Sequence, residues 1–347
     1  MPSGIFHLRA AKGKNMSNRK LTRVGVVGVG QMGIHHARIY SRMTGADLIG
    51  ITDTDSERGS YVASRYNTRY FRDFEDLLNE EPDALSIVVP TSLHREIADQ
   101  ALDMGVHLLV EKPIADTMEN AWAILQKAKE KNRILMVGHI ERFNPAIKSL
   151  QELLSLGTMG KVEMISTLRV APYPKRISDA GIILDVSCHD IDLISYLTGL
   201  KAIKVSAEAK QDFHTYEDEA VIHLSYRDGS KAVVETSWHY PYKNRRLFVK
   251  LEHGGILLNF MRQALTVFNS DGAVTIPVHS AEPLSIELHT FVETVANGLP
   301  SPVNGEDSIY TLSVTSSAVR SYKEKKEIKL SSPTHNTTYH VPVLAMI

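Results

Sequence analysis

The first half of the chain alternates short apolar runs with segments whose apolar residues recur at helical spacing. This spacing predicts helices over His94–Gly105 and Met118–Asn132. Strands that alternate with helices predict a parallel, doubly wound sheet, in which ligands bind beyond the carboxyl ends of the strands. The apolar runs that predict these strands are Arg23–Gly30, Ala46–Asp53, Ala84–Pro90, His107–Pro113 and Arg133–His139.

The pattern changes after about Gly157, where longer strand-like stretches take over. Asp228-Gly229 lies between two of them and is a strong hairpin signal. Helices are predicted over Ile183–Leu197, ahead of most of these strands, and over Leu284–Asn297 and Glu306–Lys325 near the end. The second half is therefore predicted to be an α/β unit with a large, open, mostly antiparallel sheet. Its predicted strands are Lys161–Val170, Ala202–Lys210, Ala220–Tyr226, Lys231–Tyr240, Arg246–Glu252 and Gly255–Asn259.

The length of 347 residues exceeds what one compact core holds and predicts two domains, over residues 21–145 and 146–330. Residues 1–20 are predicted to be a disordered extension, with Met16 as an alternative start, although their basic character weakly resembles a transit peptide. Residues 331–347 are predicted to be a loosely held tail.

Charge and cysteine content exclude several classes of function. The net charge of -1 gives no polybasic surface for nucleic acid. The sequence contains no apolar run long enough to span a bilayer, so no membrane partner is expected. The single cysteine, Cys188, excludes a disulfide framework and fits a reducing compartment. Together with the lack of a secretory signal, this predicts a cytoplasmic protein.

The segment "GVGQMG", residues 28–33, follows the first predicted strand and opens a helix. Asp53 stands about 20 residues further on, at the end of the second strand, which completes the dinucleotide-binding fingerprint. Asp53 is expected to accept hydrogen bonds from a ribose 2'-hydroxyl, which favours NAD, whereas Arg58 nearby keeps NADP as an alternative. The predicted cofactor-binding residues of this region are Gly28, Gly30, Gln31, Met32, Gly33 and Asp53.

The segment "EKP", residues 111–113, places a lysine at the tip of an apolar strand. Lysine is almost never fully buried unless it is paired. At this position Lys112 could hydrogen-bond a substrate hydroxyl and stabilise developing alkoxide charge, with Glu111 helping to hold it. Pro113 fixes the direction of the chain and is a candidate for a cis bond. The alternative is an ion pair at a strand end.

A second polar group lies in "GIILDVSCHDIDL", residues 181–193. Asp185, His189 and Asp192 stand at i, i+4 and i+7, so they are predicted to share one face of a helix. A histidine is the usual general base for an alcohol proton, and Asp185 could orient it or bind substrate. The alternatives are a satisfied buried polar cluster and, less favoured, a divalent metal site; we predict no metal.

The three motifs, in this order and spacing, resemble the glucose–fructose oxidoreductase/inositol dehydrogenase (Gfo/Idh/MocA) family over about residues 21–330. The resemblance implies an N-terminal Rossmann domain and a C-terminal α/β domain that binds substrate and forms a homodimer or homotetramer through its sheet. It implies Lys112 as the catalytic lysine, His189 as the acid/base and Asp185 as their companion. Pro90, Thr91 and His94 match the family's segment beside the nicotinamide, and Glu111 and Lys112 complete the predicted cofactor contacts.

The string "GHIERFNP", residues 138–145, resembles the UDP-N-acetylglucosamine 3-dehydrogenase branch of that family. That branch oxidises the sugar 3-hydroxyl to a ketone with NAD, and a partner aminotransferase can then act on the product. Cations and rings at the ends of the later strands could bind a diphosphate and stack on a sugar or uracil, or could form an ordinary solvated rim. The predicted substrate-binding residues are Arg142, Asn144, Arg169, Tyr173, Asp185, His189 and Trp238.

Two other functions remain open from the sequence. One keeps the enzyme class and changes the substrate to a free polyol or sugar of the inositol type, or to a UDP-sugar acid. The other is a catalytically silent regulator that senses a dinucleotide, which predicts NAD binding without turnover. The presence of Lys112, Asp185 and His189 argues for the enzyme.

Overall fold

The computed structural model describes residues 20–174, 180–213 and 215–331. The predicted N-terminal extension and C-terminal tail therefore lie outside the described residues except for their inner ends. In the described part of the chain, no helix is both long and apolar enough to cross a membrane.

The first half folds into a six-stranded sheet with helices between the strands. The strands are β1 (Thr22–Val27), β2 (Ala46–Thr52), β3 (Tyr70–Phe71), β4 (Ala84–Ile87), β5 (His107–Glu111) and β6 (Leu135–Gly138). The helices are α1 (Gly33–Tyr40), α2 (Ser56–Tyr66), α3 (Phe74–Leu78), α4 (His94–Asp103) and α5 (Met118–Glu130). All strand pairs are parallel, in the order β3-β2-β1-β4-β5-β6, which is the Rossmann arrangement.

Local sequence explains where these helices begin and end. The side chain of Asp55 accepts a hydrogen bond from the Arg58 backbone and caps α2, and Thr117 caps α5 through Asn120. Helix α2 ends at Asn67, which adopts the left-handed conformation that asparagine tolerates (φ +52°). Because the strands are parallel, α2 and α5 begin beyond the carboxyl ends of β2 and β5, which is the side where such sheets bind ligands.

The second half contains a nine-stranded sheet packed against helices. Its elements are α6 (Pro145–Ser155), β7 (Val162–Pro172), α7 (Cys188–Thr198), β8 (Lys204–Lys210), β9 (Glu219–Ser225), β10 (Lys231–Ser237), β11 (His239–Leu251), β12 (Gly254–Asn259), β13 (Ala264–Asn269), β14 (Gly272–Ile276), α8 (Pro283–Asn297), α9 (Gly305–Glu324) and β15 (Ile328–Lys329). The strand order is β14-β13-β12-β11-β7-β10-β9-β8-β15. Among the described strand pairs of this second sheet, only β7–β10 is parallel, which confirms a mostly antiparallel sheet and the predicted α/β class.

The buried apolar side chains form two cores, one for each sheet. The first sheet ends with β6 and the second begins with β7, but helix α8 packs back on the first core through Leu284, Leu288 and Phe291. Helix α9 contributes to both cores, with Leu312 in the first and Val314 in the second. The two halves are thus joined by apolar packing as well as by the chain.

Candidate active site

The glycine-rich loop has the close approaches that a dinucleotide site needs. Gly28 has φ +85°, and a Cβ there would meet Val88 O at 2.6 Å. A Cβ on Gly33 would lie 1.9 Å from Gly28 O, so α1 can pack on the loop only without a side chain at this position. A Cβ on Gly30 would meet nothing within 4 Å, which leaves the space that a pyrophosphate would occupy.

Asp53 is buried at the end of β2 and anchors the same loop. Its carboxylate accepts hydrogen bonds from Val29 N at 2.8 Å and Asp55 N at 2.9 Å, and from Arg58 Nη2 at 2.6 Å. Burial opposes ionisation, but the Arg58 and backbone hydrogen bonds hold the pKa of Asp53 below its usual value. The pair therefore presents a fixed negative carboxylate to a ribose, with a cation that could also meet a 2'-phosphate.

Lys112 lies at the carboxyl end of the sheet, directly after β5, and reaches across to the second half of the chain. The Lys112–Pro113 peptide bond is cis, as anticipated. Lys112 Nζ donates to Asp185 Oδ1 at 2.9 Å and to the Asp185 carbonyl at 2.8 Å. Burial alone would disfavour the ammonium, but Asp185 raises the pKa of Lys112 above its usual value, so the amine is protonated. Lys112 is thus a buried cation whose ammonium is held by one residue, Asp185.

His189 lines the same cavity as Lys112 and Asp185. Its Nδ1 is buried and has no hydrogen-bond partner among the described residues. Burial and then the charge of Lys112 lower the pKa of His189 well below its usual value. His189 is therefore a neutral imidazole at neutral pH, as a general base must be.

The helix that carries these residues differs from the predicted one. Residues Ile183–Ser187 form a π-helical turn, and the α-helix begins only at Cys188. The extra residue of a π turn changes the phase of the helix, so the i, i+4, i+7 spacing does not describe one face. Asp185 and His189 line the cavity, whereas Asp192 is buried against Arg142 (Oδ1 to Nη2, 2.6 Å). Such turns are frequent at functional sites.

The cavity between the two halves has a volume of about 900 Å³ and opens at the carboxyl end of the first sheet. It brings together residues that the sequence analysis assigned separately to cofactor, catalysis and substrate. Those that line it are Gln31, Met32, Pro90, Glu111, Lys112, Asn144, Arg169, Asp185, His189 and Trp238. Tyr173 and Thr91 are not among the lining residues; Tyr173 instead packs edge-on against Trp238, with ring centroids 6.0 Å apart.

Two predicted contacts are corrected by the structure. Arg142 was predicted to bind substrate, but it is buried outside the cavity, where Nε and Nη2 bond to Asp192 and Nη1 to Asp307 at 3.1 Å. The 3-10 turn Ile140–Phe143 directs the Arg142 side chain toward α7 and α9.

His94 was predicted to lie beside the nicotinamide, but its ring is buried and contacts the backbone oxygens of Val89 and Pro113, both at 3.1 Å. His94 therefore positions the loops that follow β4 and β5.

A buried acidic cluster behind Lys112 was missed by the sequence analysis. Glu111 meets His36 Nε2 at 3.2 Å and accepts the Lys112 backbone N–H at 3.2 Å. Glu287 of α8 is fully buried, and neither of its oxygens has a hydrogen-bond partner among the described residues. Burial, with Glu111 nearby, raises the pKa of Glu287 well above its usual value, so it is a neutral acid. Its place on the apolar stripe of α8, beside Leu284 and Leu288, was the available signal.

Comparison with known proteins places this geometry among sugar and polyol dehydrogenases. The family described as "Oxidoreductase family, NAD-binding Rossmann fold" matches residues 22–139, and "GFO/IDH/MocA C-terminal domain" matches residues 147–257. UDP-N-acetylglucosamine 3-dehydrogenase of Acidithiobacillus ferrooxidans is 31% identical over 291 residues, which cover 80% of this chain and 90% of that protein. A solved structure of that enzyme matches with a TM-score of 0.81 and 29% identity, over 87% of this chain and 98% of that one. A scyllo-inositol 2-dehydrogenase (NAD(+)) of Bacillus subtilis is 28% identical over 89% of this chain and 96% of that protein.

Proposed function

The chain belongs to the Gfo/Idh/MocA family of oxidoreductases, and on that premise we propose that it oxidises the 3-hydroxyl of UDP-N-acetylglucosamine to the 3-keto sugar. The family's N-terminal domain is an NAD-binding Rossmann fold, which confirms NAD as the cofactor. The observation that carries the chemistry is the protonated Lys112 held by Asp185 beside the neutral His189. The relative from Acidithiobacillus ferrooxidans supports the choice of substrate.

The residues present fit NAD. The open space at Gly30 and the uncapped start of α1 suit a pyrophosphate, and Asp53 suits a ribose hydroxyl. Gln31, Met32, Pro90 and Glu111 line the path from that loop to Lys112. When bound, NAD supplies the acceptor for the hydride that leaves the alcohol carbon.

The remaining chemistry is done by three side chains. The substrate hydroxyl lies between Lys112 and His189, where the Lys112 ammonium donates a hydrogen bond to the oxygen. As negative charge develops on that oxygen, the ammonium stabilises it. His189 accepts the hydroxyl proton, which its depressed pKa permits at neutral pH. Asp185 positions the lysine through its carboxylate and its carbonyl.

The first test is direct turnover. The purified protein is incubated with UDP-N-acetylglucosamine and NAD in the presence of a ketone trap, and NADH and the trapped product are followed by absorbance and mass. We expect equal amounts of NADH and trapped 3-keto product. If the protein binds NAD but forms neither NADH nor trapped product, UDP-N-acetylglucosamine is not its substrate.

A second candidate function is oxidation of a free inositol. It is favoured by the Bacillus subtilis relative, which covers 89% of this chain, whereas the Acidithiobacillus ferrooxidans relative covers 80%. The same assay with myo-inositol and scyllo-inositol separates the two functions. NAD binding with no turnover of any of these substrates would instead favour a dinucleotide-sensing regulator.

Three further features belong to this proposal. We propose that the protein acts in the cytoplasm, that it is a homodimer or homotetramer, and that an aminotransferase consumes the keto sugar. Size-exclusion chromatography with light scattering tests the assembly. Coupled formation of the 3-amino sugar by an added aminotransferase tests the last step.

A further inference from the structure

We propose that Arg245 and Lys243, on the wall of the cavity formed by β11, bind the diphosphate of a nucleotide-sugar substrate. This inference rests on the proposed function and names the part of the protein that would distinguish a nucleotide sugar from an uncharged polyol. Neither residue belongs to the Lys112–Asp185–His189 group.

The first observation is a pair of arginines that face each other across two strands. Arg245 of β11 is the direct cross-strand partner of Arg169 of β7, and both line the cavity. Like charges directly opposite in an antiparallel pair are destabilising unless anions compensate for them. The two guanidinium groups therefore need negative charge nearby to offset their repulsion.

The carboxylates that supply this negative charge lie mainly against Arg169. Asp190 binds Arg169 through both of its oxygens, at 3.1 Å and 2.9 Å, and Glu141 Oε1 lies 2.8 Å from Arg169 Nη1. The same Glu141 oxygen is 3.6 Å from Arg245 Nη1, which is beyond hydrogen-bond distance. Within the described part of the chain, two carboxylates thus hold Arg169 and leave Arg245 incompletely paired.

Arg245 is also the more accessible of the two. Its side chain is 37% exposed, against 5% for Arg169. Burial and then the charge of Arg169 lower the pKa of Arg245, which agrees with a cation that its surroundings stabilise poorly. A ligand anion in the cavity can reach Arg245 and would relieve this repulsion.

A break in the strand pairing places a second cation beside it. The register between β11 and β7 shifts between His239 and Asn244, and Lys243 lies in this irregular stretch and lines the cavity. Bulges next to active sites commonly re-aim a side chain. Lys243 has no carboxylate partner within 4.0 Å among the described residues. Two cations separated by one residue suit a group with two phosphates.

The geometry also relates this subsite to the reacting group. Arg245 and Arg169 lie near enough to His189 for their charges to act on it, and Trp238 lines the same cavity. A sugar whose hydroxyl lies at Lys112 and His189 can therefore extend its diphosphate toward β11. A free inositol has no group that would use these cations.

The test compares Arg245→Met with Arg246→Met. Arg246 is the next residue of β11, is exposed, and points to the opposite face of the sheet, so it is a matched control. The steady-state KM and kcat for UDP-N-acetylglucosamine are measured at saturating NAD, and UDP and uridine are titrated calorimetrically into the NAD-loaded proteins. Thermal melting reports whether each variant is folded.

We expect Arg245→Met to raise the KM for the nucleotide sugar and the Kd for UDP by about 10- to 100-fold, with uridine unaffected and Arg246→Met unchanged. Lys243→Met, an exposed position, provides a second variant in case Arg245→Met does not fold, and we expect a smaller increase in the same direction. Oxidation of UDP-N-acetylglucosamine with unchanged KM and UDP affinity in both cavity variants would overturn the subsite alone. Failure of the wild-type protein to bind UDP or to oxidise the nucleotide sugar would overturn the proposed function, and the subsite with it.

Discussion

At the scale of single residues, the site depends on how buried charges are compensated. Lys112 can lie inside the protein because Asp185 gives it two oxygen acceptors. The surroundings of His189 instead disfavour a positive charge, because they are cationic and its Nδ1 has no hydrogen-bond partner among the described residues. One residue is thus kept charged and the other neutral, which are the states that alcohol oxidation requires of a stabilising cation and a base.

The first residue-scale prediction concerns Lys112 and His189. Lys112→Met and His189→Gln should each lower kcat/KM by about 10²- to 10⁴-fold, because each removes one of the groups that acts on the reacting oxygen. NAD binding, measured by calorimetry, should stay within a few-fold of wild type. Lys131→Met and His253→Gln, both exposed, are the controls. Near-normal turnover in either cavity variant would refute its assignment.

The pH profile of the wild-type enzyme tests the same assignment. A base must be deprotonated, so activity falls as pH drops through its pKa. Burial and the charges of Lys112, Arg169, His139 and Arg245 lower the pKa of His189, so the acid limb of kcat/KM should lie below pH 6.5. An acid limb above that value would contradict this environment for His189.

At the scale of elements, the two proposed ligand sites are made by irregular turns between regular elements. The loop between β1 and α1 is the proposed dinucleotide site, and the π turn before α7 presents Asp185 beside the start of the helix. Each turn depends on backbone geometry more than on side-chain type. Gly28 is required by its contact with the Val88 carbonyl oxygen and Gly33 by its contact with the Gly28 carbonyl oxygen, whereas a Cβ on Gly30 would meet no protein atom within 4 Å.

This difference gives a prediction about the glycines. Gly33→Ala should lower both the melting temperature and NAD affinity, because its Cβ would meet Gly28 O at 1.9 Å. Gly30→Ala should weaken NAD binding by about 10-fold or more and leave the melting temperature unchanged, since its Cβ meets no protein atom within 4 Å. Gly45→Ala, where the nearest atom is Val292 Cγ1 at 3.7 Å, should change neither. Equal NAD affinity in Gly30→Ala and wild type would contradict the pyrophosphate site.

At the scale of the whole molecule, the cavity exists only because the two halves hold a fixed relation. Arg142, which follows β6, binds Asp192 of α7 and Asp307 of α9, and His139 contacts Ser308 of α9 at 3.0 Å. Arg142 lies two residues before Asn144, which caps α6 and lines the cavity. These contacts connect the end of the first sheet to two helices of the second half.

We predict that this network is structural. Removing one partner of a buried ion pair leaves an uncompensated charge, so Arg142→Met should lower the free energy of unfolding by about 3 kcal/mol. The double variant Arg142→Met/Asp192→Leu should lose less than the sum of the single variants, because both buried charges are gone. Urea unfolding measures both effects, with the exposed Arg262→Met as the control. Additive losses would show that the two side chains do not interact.

The fold class, and most of the residues that line the candidate site, can be read from the sequence alone. Apolar periodicity separates the two sheets, and the glycine fingerprint, Asp53 and Lys112 can be read because each follows a strand whose end is visible in the apolar pattern. The physical reason is that these signals are local: a turn, a strand end or a helix start needs only a few neighbouring residues.

Which buried charges are compensated by other protein groups depends on the three-dimensional structure. Arg142 and Arg169 look alike in sequence, yet the first is enclosed by Asp192 and Asp307 and the second lines the cavity between Asp190 and Glu141. Arg245 is left with a 3.6 Å contact because β7 and β11, some 80 residues apart, pair in one particular register. The neutral state of Glu287 depends in the same way on burial by elements distant in sequence and on Glu111. Long-range pairing sets the balance of buried charge, and local patterns do not contain it.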